Sequence, residues 1–322
     1  MSKKTFIFLE NSGFPFGLAS MQKLILMGKS LIRKDSRVIV INRLPAIPSD
    51  KKGFPLKGSY DGIDYIYTSR PARSGLKLFK KIIASSIGLV GEFIFIARLR
   101  FKFKIDGALI SYTHFPLLIY YRIISRLFGF KLILSIAELH ISLQNRSKYK
   151  RINDKLFDRY SFGFSDGVIV ISTLLEKHVR RFYPSKHILK VPVLCDYELH
   201  KTKKKNSKYF LFCGAAGYYE VILFIINAFE KVYNAEYGLT LVVNGKHEHM
   251  KIIRDRIDKS NKKELIRIKS KLDYNELVNE YLNATALLIP LRYTTQDKAR
   301  FPHKIGEYLA TGNPVITTNI GE

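Results

Sequence analysis

The sequence predicts an α/β protein with parallel sheets. Short apolar runs rich in valine, isoleucine and leucine alternate with longer segments of helical periodicity along the whole chain. Strands separated by helices of about ten or more residues pair in parallel and carry helices on both faces of the sheet. The length, 322 residues, exceeds what one core usually accommodates and suits two domains of about 150 residues each. We therefore expect two doubly wound domains.

The first half contains five predicted core strands and a hairpin. The strands are 6–9, 37–42, 107–111, 131–136 and 167–171, and the helices are 19–33, 76–104, 117–128, 154–164 and 172–182. Segment 59–67 predicts a hairpin, because Asp61-Gly62 is a strong tight-turn signal. Ser172 is the expected N-cap of the last helix. We assign 1–195 to the first domain and the lysine-rich stretch 196–208 to a linker.

The second domain, 209–322, repeats the alternation. Its predicted strands are 209–213, 239–244, 266–269, 286–290 and 315–318, and its helices are 221–233, 250–259, 274–282 and 302–311. Proline suits the first turn of a helix and glycine the position after its end, so Pro302 and Gly312 bound the last helix. Lys304 and Glu307 share one face of it. The free N–H groups and positive dipole end of a helix favour an anion.

Two interpretations of Lys304 and Glu307 follow. In the simpler one they form a surface ion pair, worth about 0.3–0.5 kcal/mol. The other rests on the ordered pattern around them: Phe-Pro-x-Lys, then Glu-Tyr-Leu-Ala, Gly-x-Pro-Val-Ile and Thr-x-x-Gly-Glu. This segment resembles the donor-site signature of retaining GT-B glycosyltransferases of the family 4 type, which include bacterial cell-surface polysaccharide enzymes. The ordered match favours the second interpretation.

The resemblance implies a fold and a donor site. The GT-B fold has two Rossmann-like domains facing each other across a cleft, and here the second would be incomplete at its C-terminus. Glu307 would bind the ribose hydroxyls of a nucleotide sugar, and Lys304 would lie near its phosphates. Gly17, in the loop after the first strand, and Gly214, after the first strand of the second domain, would line the donor site.

The sequence departs from the family pattern at two further donor positions. The family commonly has a second glutamate where this chain has Ala299, and we expect Asp297, with Gln296 beside it, to replace its contact with the sugar. The loop 214–219 reads GAAGYY and lacks the usual cation pair for the diphosphate. Arg300 and Lys304 would then carry more of the stabilisation of a leaving diphosphate.

Three polar residues follow predicted strands of the first domain. His114 comes after strand 107–111, and Glu138 and His140 come after strand 131–136. Ligands of open parallel sheets bind at the carboxyl ends of the strands. The resemblance implies that these side chains face the transferred sugar or the acceptor, as candidate catalytic residues, although single histidines are more often structural.

A formal net charge of +27 requires an anionic partner. Nucleic acid and an anionic membrane surface would both satisfy it. The chain lacks zinc-finger spacing, an aromatic RNA-binding signature and a basic zipper, so we favour the membrane and expect no nucleic acid. Segment 76–104 carries basic residues at both ends of an apolar middle and predicts either an interfacial helix or an ordinary sheet-covering helix.

The sequence shows no pattern typical of a signal peptide, a membrane span or a disulfide framework. The first apolar run is too short for a signal peptide, and no clean apolar stretch of about 20 residues occurs. Cys195 and Cys213 are the only cysteines, which fits neither a disulfide framework nor a metal site. We expect a cytoplasmic protein, peripheral on the inner face of the cell membrane.

The predicted function is a retaining hexosyltransferase-type reaction. A sugar would pass from a nucleotide sugar to a lipid-linked or polysaccharide-precursor acceptor, in lipopolysaccharide or capsule biosynthesis. No Asp-x-Asp motif stands at a strand end, so we expect no metal or other cofactor. Two alternatives remain open, a noncatalytic degenerate transferase at the membrane and a nucleic-acid-binding protein.

Overall fold

The structure is a computed structural model. It describes residues 3–11, 13–16, 19–43, 53–69, 78–111, 113–143, 146–197, 207–233 and 236–322, and of residues 19, 20, 78–82 and 84 it describes the backbone alone. Gly17 and most of the predicted linker, 198–206, lie outside the described residues.

By their contacts the residues fall into two compact units. The first comprises Met1–Leu194 with Ala299–Phe301 and Glu322, and the second comprises Cys195–Lys298 with Pro302–Gly321. Each unit has its own sheet and its own hydrophobic clusters.

The first unit is built on an eight-stranded sheet. Its strands are β1 (Thr5–Leu9), β2 (Arg37–Asn42), β3 (Lys57–Tyr60), β4 (Ile63–Tyr67), β5 (Gly107–Ile110), β6 (Lys131–Ile136), β7 (Gly167–Val170) and β8 (His187–Lys190). Their order is β3-β4-β2-β1-β5-β6-β7-β8, and only the β3–β4 pair is antiparallel. That pair is the predicted hairpin, and Asp61 and Gly62 both have the positive φ, 51° and 78°, that its turn requires.

Helices cover both faces of this sheet. They are α1 (Ala19–Arg33), α2 (Leu78–Lys102), α3 (Phe115–Phe128), α4 (Lys148–Tyr160) and α5 (Thr173–Phe182). Successive residues of a strand point to opposite faces. Accordingly Phe8 of β1 packs with residues of α1, whereas Ile7 and Leu9 share a cluster with residues of α2, α3, α4 and α5.

Helix α4 begins earlier than predicted. It starts at Lys148, after Ser147 as its N-cap, and not at residue 154. The residues that α4 buries include Asn153, Asp154 and Asp158, while several of its apolar side chains are exposed. The hydrophobic pattern therefore does not mark the face that packs on the core.

The second unit has a five-stranded, wholly parallel sheet. Its strands are β9 (Tyr209–Ala215), β10 (Gly238–Asn244), β11 (Ile266–Lys269), β12 (Ala286–Ile289) and β13 (Val315–Thr317), in the order β11-β10-β9-β12-β13. Its helices are α6 (Tyr219–Glu230), α7 (His247–Asp258), α8 (Tyr274–Asn283), α9 (Thr295–Ala299) and α10 (Lys304–Ala310). The short helix α9 is absent from the sequence prediction.

Helix α10 is shorter than the predicted helix 302–311. The N–H groups of Ile305 and Gly306 bond to the carbonyls of Pro302 and His303 at 3.1 and 3.3 Å, which is the tight spacing of a 3₁₀ turn. Fewer N–H groups are thus available to an anion than the sequence suggests. The end of the helix agrees with the prediction, because Gly312 follows it with φ of 67°.

The predicted fold class is confirmed. Both units are α/β, and each sheet has its first strand in the middle and later strands on either side, as in Rossmann-like domains. Within the described ranges, no helix has the length and apolarity needed to cross a membrane.

Candidate functional site

The carboxyl edge of the second sheet collects the predicted donor residues. The strand order reverses between β9 and β12, and in open parallel sheets ligands bind at the carboxyl ends beside such a reversal. Because β11, β12 and β13 run in the same direction as β9, helices α8 and α10 both begin at this edge. Lys304 is the first residue of α10 and Tyr274 the first of α8.

Lys304 and Glu307 do not pair with each other. The Lys304 Nζ donates to the Tyr281 hydroxyl at 3.0 Å, and the Tyr274 hydroxyl donates to Glu307 Oε1 at 3.4 Å. Tyr274 and Tyr281 are seven residues apart, so they lie on the same face of α8. Two helices thus hold the cation and the carboxylate in separate positions, and the surface ion pair of the simpler interpretation is not formed between these two described residues.

A buried pair of tyrosines fixes α10 to the rest of the unit. Tyr281 and Tyr308 are fully buried, with ring centroids 4.9 Å apart in an edge-on arrangement. The backbone N–H of Cys213, in β9, donates to the Tyr308 hydroxyl at 3.1 Å. The Asn313 amide donates to the Tyr281 carbonyl at 2.7 Å. The amine of Lys304 is therefore anchored to a hydroxyl that the core itself holds in place.

Two ionisable groups near Glu307, the Cys195 thiol and the Tyr274 hydroxyl, are neutral. Burial, and after it the charge of Glu307, raises the pKa of the Cys195 thiol to about 11. The same two causes, in the same order, raise the pKa of Tyr274 above its usual value. Both groups keep their protons at neutral pH, so the thiol and the hydroxyl add no negative charge near Glu307.

Asp297 forms a buried contact with Arg292. It is fully buried, and its Oδ2 accepts from the backbone N–H and the Nε of Arg292, at 2.9 and 3.1 Å. The Arg292 guanidinium also donates to Glu220 at 2.9 Å. Burial acts to lower the pKa of Arg292, but these two carboxylates outweigh it and raise that pKa. Contact between Asp297 and a donor sugar stays a prediction.

The remaining donor candidates occupy different surroundings. Arg300 is half-buried and is grouped by its contacts with the first unit, so its role toward a diphosphate also stays a prediction. Gly214 lies near the end of β9, where a Cβ would come within 2.7 Å of the Phe212 ring. A packing constraint alone therefore accounts for glycine at this position. Gly17 lies outside the described residues.

The carboxyl edge of the first sheet holds a network of acids that sequence reasoning missed. Glu10 follows β1 directly, and the Arg43 guanidinium donates to both of its carboxylate oxygens, at 2.8 and 2.7 Å. The Tyr121 hydroxyl lies 2.7 Å from Glu10 Oε1 and 3.0 Å from Glu92 Oε2. Glu10 has φ of 63°, a left-handed conformation that costs roughly 1–2 kcal/mol for a residue other than glycine. The bidentate contact with Arg43 offsets that cost.

The hydrogen bonds of this network require Glu92 to be protonated. A hydroxyl has one proton to give, so when Tyr121 donates to Glu10 it must accept from Glu92. Glu92 can donate only when protonated, and burial followed by the charge of Glu10 raises its pKa to about 8. Glu92 is fully buried on α2, opposite the exposed face of that helix. The neutral carboxyl thus joins α2 to Tyr121 of α3, and through Tyr121 to Glu10 at the end of β1.

The three candidate catalytic residues of the first unit lie at or beyond strand ends, as predicted. His114 is exposed and precedes α3, Glu138 is half-buried, and His140 is 3% exposed. The His140 Nδ1 lies 2.8 Å from Asp158 Oδ1, and Asp158 Oδ2 accepts from the N–H of Ile141 at 2.7 Å. The histidine ring is thereby held in one orientation. No observation tests the roles of these residues toward a sugar or an acceptor.

Some of the missed residues carried a usable signal. Glu10 follows the first strand as His114 follows the fifth, so the same strand-end reasoning applies to both. Tyr274 and Tyr281 carried none, since their contacts with α10 span about 30 residues of sequence and their spacing is also that of an ordinary core face. Within the described part of the chain, no three histidine, cysteine or acidic side chains are grouped as metal ligands would be.

The C-terminal part of the sequence matches a known family. Residues 198–322 match Glycosyl transferases group 1. This segment contains the whole second sheet and both helices that hold Lys304 and Glu307. A comparison with curated proteins gave no match.

Solved structures with the same fold span the chain. Sucrose-phosphate synthase from Thermosynechococcus elongatus is 14% identical, with a TM-score of 0.73 over 99% of this chain and 82% of that one. HepE from Anabaena, solved in complex with UDP and glucose, is 15% identical, with a TM-score of 0.64 over 99% and 81%. The lipopolysaccharide outer core galactosyltransferase WaaB is 15% identical, with a TM-score of 0.60 over 100% and 82%. These likenesses show that the chain has the GT-B fold of these structures, and the family match covers its residues 198–322.

The first prediction concerns Gly214. We expect Gly214→Ala to lower the free energy of unfolding by about 1–3 kcal/mol, because the new methyl group overpacks against Phe212. Gly217→Ala, three residues on, is the matched control, since the nearest side-chain atom to its Cβ is 3.9 Å away. Urea denaturation measures both, and equal stability of the two variants would contradict the packing explanation.

The second prediction concerns Glu92. Burial, followed by the charge of Glu10, raises the pKa of Glu92 from the usual 4.5 to about 8 in the folded state, so the folded state holds one more proton than the unfolded state between these values. Stability should therefore fall as pH rises through this window, by up to about 1.4 kcal/mol per pH unit, and level off above it. In Glu92→Gln, which keeps a donor for Tyr121, this slope should vanish. Denaturation midpoints measured between pH 4.5 and 8 give the slope of stability against pH. An unchanged slope in Glu92→Gln would show that Glu92 does not cause it.

Proposed function

We propose that the protein transfers a sugar from a nucleotide-sugar donor to a lipid-linked or polysaccharide-precursor acceptor, with retention at the anomeric carbon. One observation carries the proposal: α8 and α10 hold Lys304 and Glu307 apart at the carboxyl edge of the second sheet, inside the segment that matches the glycosyltransferase family. Related folds have been solved with UDP-glucose bound, which supports a nucleotide sugar as the donor.

Lys304 would supply most of the positive charge for the diphosphate. The leaving nucleoside diphosphate gains negative charge in the transition state and needs fixed cations or donors. The loop 214–219 offers none, and two carboxylates already match the charge of Arg292. Lys304 bonds instead to a neutral hydroxyl, so its charge is available to a ligand, and Arg300 would assist it.

Glu307 would hold the ribose. A carboxylate accepts two hydroxyl hydrogen bonds, which matches the cis diol of a ribose. The Tyr274 hydroxyl occupies Oε1 at 3.4 Å, a long contact that a ligand hydroxyl can replace. Asp297, Gly214 and Gly17 remain secondary donor candidates.

The first unit would receive the acceptor. Glu138, His140 and His114 would face the sugar or the acceptor, and His140 is oriented by Asp158. We propose that the reaction needs no metal, and that the protein works in the cytoplasm on the inner face of the cell membrane, where lipid-linked acceptors are available.

The third prediction tests the donor site. Candidate nucleotide sugars are first screened by thermal stabilisation, because a donor that binds the native state raises the melting temperature. With the best donor, Lys304→Ala should lower kcat for donor hydrolysis or transfer by about a hundredfold or more. Glu307→Ala should raise the donor KM by about tenfold or more, since it removes hydrogen bonds to a charged group, each worth about 1.5–3 kcal/mol. The anomeric configuration of the product, measured by NMR, tests retention.

The controls are Lys251→Ala and Glu264→Ala, which remove exposed charges of the same unit and should leave kcat and KM unchanged. Wild-type kinetics in both Lys304→Ala and Glu307→Ala would refute the site. Calorimetry with nucleoside diphosphates distinguishes an active transferase from a noncatalytic degenerate one, because a noncatalytic scaffold need bind none of them.

A further inference from the structure

Three neighbouring helices of the first unit, α2, α3 and α4, expose apolar side chains on the side away from the sheet. Each of them also contributes buried residues to the cluster that packs on the sheet. Twelve of the twenty-five large hydrophobic residues recorded as exposed among the described residues belong to these helices. They are Ile83, Ile87, Val90, Phe93, Ile94, Phe101, Ile123, Leu127, Tyr149, Ile152, Leu156 and Tyr160. We call this surface the three-helix face.

The exposed residues form stripes and are not scattered. On α2, residues 83, 87, 90 and 94 are three or four apart, the spacing of one helical face, and Val90 is 60% exposed. On α4, residues 149, 152, 156 and 160 have the same spacing, and on α3 Ile123 and Leu127 are four apart, with exposures of 62% and 63%. Single exposed hydrophobic residues are ordinary, but aligned ones mark an interaction surface.

Side-chain contacts join the helices into one surface. The rings of Phe93 on α2 and Phe128 on α3 are 5.5 Å apart. The Tyr120 hydroxyl of α3 donates to the Leu89 carbonyl of α2 at 2.9 Å. Between α3 and α4, the rings of Phe115 and Tyr160 are 6.5 Å apart. The stripes are therefore held side by side by packed elements and not by loops.

On these three helices the acidic residues are buried and many basic residues are exposed. Their acids are Glu92, Asp154 and Asp158, with exposures of 0%, 1% and 6%. Their exposed cations are Arg98, Arg100, Lys102, Arg126, Lys148, Lys150, Arg151, Lys155 and Arg159. The surface thus presents aliphatic and aromatic side chains among cations, and the carboxylates on the described part of these helices are buried.

This combination selects a lipid surface over other anionic partners. Nucleic acid is bound through cations and stacked aromatic rings, and exposed isoleucine, leucine and valine contribute nothing to phosphate contacts. An interfacial helix needs both an apolar face to enter the acyl boundary and lysine or arginine to meet the headgroups. Basic residues near an anionic leaflet strengthen the attraction to it.

We propose that the three-helix face docks on an anionic lipid bilayer, with the apolar stripes in the headgroup region and the cations at the lipid phosphates. Both sequence interpretations of segment 76–104 then apply to the same helix. Helix α2 covers the sheet through Ile96 and Leu99 and meets lipid through its opposite side. The consequence for catalysis, access to a lipid-linked acceptor, rests on the proposed function, but the binding itself does not.

The fourth prediction uses cosedimentation with vesicles of phosphatidylcholine containing phosphatidylglycerol, and with vesicles of phosphatidylcholine alone. The wild type should bind the anionic vesicles and bind the neutral ones much more weakly. The stripe variant Ile87→Ser/Val90→Ser/Ile94→Ser should bind the anionic vesicles at least about tenfold more weakly, about 1.4 kcal/mol. The charge variant Arg98→Gln/Arg126→Gln/Arg151→Gln should lose a comparable factor. All of these side chains are exposed, so the fold should persist, as circular dichroism would verify.

Matched controls lie on the second unit. Tyr233→Ser/Ile252→Ser removes exposed apolar groups there, and Lys251→Gln/Arg254→Gln/Lys259→Gln removes two exposed charges of α7 and one directly after it. Both controls should bind vesicles like the wild type. The proposal is overturned if the wild type ignores anionic vesicles, if the controls lose as much binding as the variants, or if the wild type binds a single-stranded RNA homopolymer and no vesicles. Donor hydrolysis without vesicles reports the proposed function separately, and the stripe variant should retain it.

Discussion

Parallel strand pairing is the constraint on which the rest of the structure depends. In the described part of the chain, every strand pair except β3–β4 runs parallel. The crossover helices then begin at the carboxyl edge of each sheet, and the polar residues after each strand collect there. Glu10 in the first unit and Lys304 in the second owe their positions to this topology and not to any local sequence preference.

The charged residues at the carboxyl edges of the two sheets have different hydrogen-bond partners. At the first edge, Glu10, Arg43, Tyr121 and Glu92 satisfy one another, and a neutral carboxyl completes the set. At the second edge, Lys304 and Glu307 are each held by a neutral tyrosine. Buried, mutually satisfied charges stabilise a fold, whereas charges held by neutral donors and acceptors remain available to a ligand. This difference is why we place the donor at the second edge.

The sequence was sufficient for elements with clear periodicity and insufficient where polar groups are buried. The bounds of α1, β2, β6 and β11 were predicted without error. The start of α4 was missed because Asn153, Asp154 and Asp158 face the core and most of its apolar residues face solvent. The exposed apolar residues of α4, which made its start hard to predict, are also part of the three-helix face.

The candidate site was predictable in part. Lys304 and Glu307 could be named because the pattern around them is local and ordered. The tyrosines of α8 could not, since their contacts with α10 depend on tertiary packing. Asp297 was named as a replacement for the family's second glutamate, but its pairing with Arg292 is a local contact that composition and spacing do not reveal.

The most direct test of the account is amide hydrogen exchange with a saturating nucleoside diphosphate, chosen from UDP, ADP and GDP by thermal stabilisation. The central claim, that α8 and α10 together hold the donor nucleotide, predicts slower exchange in the first turns of both helices and no change in α7. Protection confined to other segments, or none with any of the three nucleotides, would contradict it.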